Sequence, residues 1–313
     1  MATDRSLLTS TFASGLPQVR GFQVPYAGYL AGSTLAQTLR PFPQFGTINS
    51  LWTPLGDAWY NALQAKVTQR TKHGLTTSTA FTWSKNLVQG AETGAGGGDP
   101  INDGFNRKNQ RDLSSADLPF VFTEVVNYRL PRVGPNALIK NIVGDWTVSG
   151  ILNYQSGALI AVPGAQNNLS TLLFRGTFAN RVPGQALYLK NPNCGCIDPN
   201  KDFALNPAAW SDPAAGTWGT SAAYYSDYRA PRRPGESAGI GRVFRLREGI
   251  TMEVRAEFQN VLNRMELPAP TSTNALATQT RNAAGVPTSG FGYINASSVG
   301  GQRSGQLLAR FQW

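Results

Sequence analysis

The chain has one histidine, two cysteines and three methionines among 313 residues, and only 15% of it is charged. With His73 as its sole imidazole, neither a Ser-His-Asp relay nor a histidine-based metal site has its parts. Between Lys72 and Gly74, His73 reads as a polar turn residue. Two thiols are half a structural zinc site. Cys194-Gly195-Cys196 lies among Asn, Pro and Asp, where a loop disulfide suits an oxidising compartment, although its partners can also lie elsewhere. The run Gly94-Ala-Gly-Gly-Gly-Asp99 lacks the Lys-Ser/Thr ending of a phosphate loop and the repetition of a calcium roll, and reads as a loop tip. We assign no catalytic residue, no cofactor-binding residue and no metal ligand, and expect the chain not to be an enzyme.

Long apolar runs are also missing. No stretch approaches the ~20 residues of a membrane-crossing helix, and the mean hydropathy is -0.25. The segment Met1 to Ser10 has no continuous apolar core of the kind a signal peptide carries. Among structures that satisfy every backbone polar group in lipid, only the closed barrel of strands remains.

Glycine (33), proline (20) and aromatics (10%) are plentiful, which favours turns, ring-bearing strands and an all-β fold. The formal net charge of +10 raises nucleic acid as a partner. The basic residues are scattered, however, and the densest stretch, Arg229 to Arg233 with Arg242, Arg245 and Arg247 beyond, alternates with Pro, Gly and apolar residues and carries no nucleic-acid motif. Basic loops and a basic pore lining near an anionic membrane surface account for the charge as well.

The clearest strand is Ile250 to Gln259. Met252, Val254, Ala256 and Phe258 alternate with Glu253, Arg255 and Glu257, so one face is apolar and the other ionic. In a transmembrane barrel Met252, Val254 and Phe258 face lipid and Glu253, Arg255 and Glu257 line the lumen. Trp59 to Arg70 repeats the rhythm with Lys66 on the polar side, and after the turn Thr71 to Gly74 the strand from Leu75 returns. Further strands run over Phe120–Leu130, where Val121 and Val125 leave the facing ambiguous, over Asp145–Gly157 and over Glu236–Leu246. In the last strand Leu307, Ala309, Phe311 and Trp313 alternate with Leu308, Arg310 and Gln312, placing Arg310 in the lumen.

Short links (71–74, 131–144, 247–249) alternate with long polar ones (87–118, 158–235, 263–303). Outer-membrane barrels have that alternation of short periplasmic turns and long extracellular loops. Trp59 and Trp83 fall at loop ends of strands, Trp146 and Trp313 at turn ends, as two interfacial girdles require.

Several segments, in order, resemble the Oar-like barrel of TonB-dependent receptors. They are Thr34 to Gly46, Tyr60-Asn-Ala-Leu-Gln with Phe81-Thr-Trp-Ser-Lys85, Asp145-Trp-Thr-Val-Ser-Gly-Ile151 with Tyr154-Gln-Ser-Gly157, Leu205 to Trp210, and Arg255 to Asn263. The terminal run Leu307, Ala309, Phe311, Trp313 looks like the signal read by the barrel assembly machinery. The resemblance implies an all-β antiparallel barrel of roughly 22 strands, moving a bulky substrate across the outer membrane. It also implies contact with outer-membrane lipids and lipopolysaccharide. The plug and TonB box of that family are not recognisable here, so TonB would act only through a plug outside this sequence. Residues 1–58 then read as an outer-loop segment and 59–313 as the C-terminal strands of a larger barrel. An adhesin-like surface barrel without transport is the alternative, and a soluble β-sandwich the third.

Overall fold

The computed structural model describes residues 5–46, 48, 56–89, 102–103, 106, 111–132, 135–136, 139–140, 144–167, 169 and 176–313. The run Gly94 to Asp99, read as a loop tip, lies outside these residues. Its frame is a meander of seven long strands. These are β1 (Asp57–Arg70), β2 (Leu75–Gln89), β3 (Phe120–Arg129), β4 (Thr147–Gln155), β5 (Arg233–Arg247), β6 (Ile250–Gln259) and β7 (Ser304–Gln312). Each pairs antiparallel with its neighbours in sequence, and a short piece, Arg111–Leu113, adds to the loop end of β2. No helix among the described residues is long and apolar enough to cross a membrane.

The local sequence explains these elements. Four threonines, Phe81 and Trp83 lie along β2, where side chains of that shape pack well on a pleated surface. The turn into β2 needs Gly74, whose φ is 83° and where a Cβ would stand 2.9 Å from the Arg129 carbonyl oxygen. Asp145 closes the link between β3 and β4. Its φ is 62°, and its carboxylate takes Arg129 at 3.0 Å and also Arg132, whose hydrogen bond holds it below the usual carboxylate range.

Cross-strand register shows the tilt. A row of direct partners runs Leu75, Tyr128, Val148, Ile240, Ala256, Leu307. It starts at the turn end of β2, yet in β7 the five residues from Leu308 to Gln312 still lie between it and the turn end. Five residues at ~3.3 Å against five strand spacings of ~4.8 Å correspond to strands inclined by about 35°, the inclination that closed barrels have. The described sheet is open. β1 and β7 have no partner on their outer edges among the described residues and are exposed on both faces. Nothing in the sheet sets a total near 22 strands.

The buried core is not in the sheet. The connections expected to be polar loops fold together at one end around Ile160, Leu205, Trp210, Tyr228, Phe291 and Ile294, all 4% exposed or less. Burying a side chain of this size contributes ~1.5–3 kcal/mol, so the loops hold their own shape. Two small ladders, Asn180–Arg181 with Trp210–Ser211 and Thr280–Arg281 with Pro287–Ser289, fix their backbones. The N-terminal segment, expected as an outer loop, carries three short helices, α1 (Arg5–Thr9), α2 (Leu16–Val19) and α3 (Leu35–Thr38). Thr34 caps α3 by accepting the Gln37 N–H, and Phe12 and Leu35 are buried in this unit.

Candidate functional site

Pairing assigns every strand residue to one of two faces. Glu253, Arg255 and Glu257 lie opposite Arg310, Leu308 and Gln306, on one face of the sheet. Arg255 pairs with Glu257 at 2.7 Å, and the Gln306 amide donates to Glu257 at 2.6 Å, so the ionic row is largely neutralised within itself. Carried across the sheet, the same face takes Gly239, Ser149, Asn127 and Ser78, and at the far edge Lys66, opposite Ala80. Lys66 therefore shares the face with the Glu253 row but stands at the opposite edge of the sheet. A concavity of about 620 Å³ on this face is lined by Ser149, Gly239, Arg255, Glu257 and Gln306. Gly239 lines it without a side chain, and a Cβ there would stand 3.0 Å from the Ser149 hydroxyl oxygen.

The other face carries Met252, Val254 and Phe258, with Phe311, Ala309 and Gly305 opposite. Leu307 joins them opposite Ala256, and Trp313 follows just beyond β7, 94% exposed. The pairing also fixes β3. Phe122 lies between Phe81 and Tyr154, so Phe120, Phe122, Val126 and Tyr128 belong to the apolar face, while Val121 and Val125 fall on the polar one. Rings gather near both ends of the apolar face. Phe81 meets Phe120 edge-on at 5.5 Å toward the loop end, and Trp146 meets Phe244 at 6.4 Å at the turn end.

Charged residues on the apolar face break the pattern, Asp57 and Lys85 toward the loop end and Glu124, Arg242 and Glu236 further along the sheet. Glu124 accepts a hydrogen bond from Thr79 in mid-sheet. Arg242 lies over the Phe244 ring at 4.7 Å. Glu236, 1% exposed, takes both the Tyr154 hydroxyl at 2.8 Å and Arg264 at 2.9 Å. Sequence reasoning does not find this triad, because Arg264 reaches it from the loop after β6 and only pairing shows that Tyr154 and Glu236 share a face.

Above Glu236 lies a larger cavity of about 860 Å³. Strand ends supply Phe120, Tyr154, Arg233 and Pro234, the segment leading into β5 supplies Arg232, and the loop after β6 supplies Arg264 and Leu267. Asn193 and Gly195 complete it from the loop held by a Cys194–Cys196 disulfide. The Arg229–Arg233 cluster visible in the sequence thus divides. Arg232 and Arg233 enter the cavity, while Arg229 turns beneath the loops to Asp117 at 2.5 Å. No group of three or more His, Cys, Asp or Glu among the described residues is arranged to hold a metal ion.

Inclined antiparallel strands with one apolar and one polar face, ring belts near both ends, and long connections all at one end define the wall of a membrane β-barrel. Comparison of the sequence with family models agrees. Residues 11–306 match the outer membrane beta barrel domain, and the chain belongs to that family. It is a protein of the bacterial outer membrane. Comparisons with characterised proteins and with solved structures give no match.

Proposed function

We propose that this chain is barrel wall and outer loops of a transporter of the TonB-dependent, Oar-like type, moving a bulky substrate across the outer membrane. The polar face is its lumen, lined by Lys66, Glu253, Arg255, Glu257 and Arg310. The apolar face with Met252, Val254 and Phe258 meets lipid, and Leu307, Ala309, Phe311 and Trp313 form the signal for the assembly machinery. One observation carries the reading that the barrel is large. β1 and β7 run in the same direction, from loop end to turn end, and each has an outer edge without a partner among the described residues. Joined to each other they would make a parallel seam, whereas bacterial barrels pair antiparallel throughout. An odd number of further strands between them restores that pairing and enlarges the barrel.

The ordered loop core favours a second reading, an adhesin-like barrel that presents a shaped surface without transport. The test is to purify the native gene product from outer membranes and measure its binding to the periplasmic domain of TonB. The transport reading predicts saturable binding through a plug. A mature product that inserts, conducts unaided and does not bind TonB supports the surface-barrel reading instead.

A further inference from the structure

The larger cavity opens on the apolar side of the wall. Phe120, Tyr154 and Pro234 all belong to the face that carries Met252 and Phe258. Apolar surface continues from it onto the neighbouring strand β2, because Phe120 and Trp83 are directly paired and are 41% and 63% exposed. Its other wall is cationic. Glu236 engages Arg264, and Glu266 stands 3.5 Å from Arg233. Arg232 is exposed and has no carboxylate within ion-pair distance among the described residues. The three guanidinium groups thus exceed the two carboxylates by one positive charge.

A small soluble anion would use the guanidinium groups and leave the ring surface idle. An uncharged lipid would do the reverse. A substrate crossing through the lumen would meet neither, since it passes on the polar face. We propose that this cavity binds a phosphorylated glycolipid of the outer leaflet, the chemistry that the lipid portion of lipopolysaccharide presents. The phosphate sits against Arg232 and Arg233, which offer forked donors matched to phosphate oxygens. An acyl chain lies along Phe120 and Trp83. The site rests on the reading that the apolar face meets lipid.

The experiment uses the full-length gene product in phosphatidylcholine nanodiscs, with labelled lipid A as probe. Retention of lipid A is expected to fall about tenfold in the double variant Arg232→Ala/Arg233→Ala. Lipid A stripped of its phosphates should be retained as poorly by the unaltered protein, an arm that needs no variant to fold. Millimolar inorganic phosphate should not displace bound lipid A. Unchanged retention in either of the first two arms, or full displacement by inorganic phosphate, overturns the proposal. A Val254→Cys variant in the same discs separates the two levels. Reaction only with a membrane-restricted reagent, joined with unchanged lipid A retention, removes this site alone. Reaction with a water-soluble reagent removes the facing itself.

Discussion

Asp117 and Arg229, 112 residues apart in sequence, meet at 2.5 Å beneath the loops. The Asp117 side chain is 2% exposed and that of Arg229 14%. The guanidinium also donates to the carbonyl oxygens of Asp117, Gly157 and Ser226, so one side chain ties the connection before β3 to two points of the connection before β5. Asp117 accepts the Asn86 N–H at 2.7 Å with its other oxygen, anchoring the assembly to β2.

Removing Arg229 leaves a buried carboxylate without its partner. Arg229→Ala should destabilise the loop assembly by ~3–5 kcal/mol, whereas Asp117→Asn, which keeps an acceptor for Asn86, should cost less. Protease cleavage within residues 158–232 on intact cells reads this out. Cleavage of Arg229→Ala no faster than that of the unaltered protein would contradict the assignment.

Met252 and Arg255 lie on opposite faces of β6, and Met252 sits between Phe244 and Phe311. A charge on a lipid-facing position costs ~2–4 kcal/mol at mid-bilayer and ~0–1 kcal/mol near the interfaces. Val254→Arg, nearer the middle of β6, should therefore reduce the amount of assembled protein in the outer membrane far more than Arg255→Met, and Met252→Arg, beside the turn-end ring Phe244, by less than Val254→Arg. Equal amounts of Val254→Arg and Arg255→Met would show that the faces are assigned wrongly.

Tyr188 should make the loops sensitive to alkali. Its hydroxyl stands 2.8 Å from the Arg229 carbonyl oxygen, and burial pushes its phenol up from 10.0 to about 12. Between those values the unfolded chain has released the proton and the folded one has kept it, so stability falls as pH rises from 10.0 to about 12 and is unaffected below. Burial raises the Tyr228 phenol as well, with the same sign. Near-ultraviolet circular dichroism should show loss of the loop signal in that window, less steeply in Tyr188→Phe. Identical alkaline profiles for the two proteins would remove Tyr188 from the explanation.

The long connections should be outside the cell and the short turns in the periplasm. Ala215, exposed in the loop after β4, and Lys72, exposed in the turn after β1, lie at opposite ends of the strands. An epitope inserted at Ala215 should be labelled on intact cells, and one at Lys72 only after the outer membrane is opened. The reverse pattern would invert the topology.

Most of the sheet is legible in the sequence because period-two alternation survives wherever the two faces meet different solvents. Ile250–Gln259 shows this best, and the observed β6 has those bounds. At Phe120–Arg129 apolar residues occupy both faces, so only pairing with Phe81 and Tyr154 decides the facing. The loop core is not legible. Ile160, Leu205, Trp210 and Phe291 follow no period, and contacts such as the Ala204 N–H to the Gly292 carbonyl bring together stretches far apart in the chain. The loop-end cavity escapes for the same reason, since the sequence shows its arginines but not the ring floor beneath them.

The central claim is that this sheet divides lipid from a watery lumen. Single cysteines placed in turn from Thr251 to Phe258, in the full-length protein in native outer membranes, test it most directly. The account predicts reaction with a small water-soluble thiol reagent at 251, 253, 255 and 257, and protection at Met252, Val254, Ala256 and Phe258. Uniform reactivity along the strand, or protection at the odd-numbered positions instead, would contradict it.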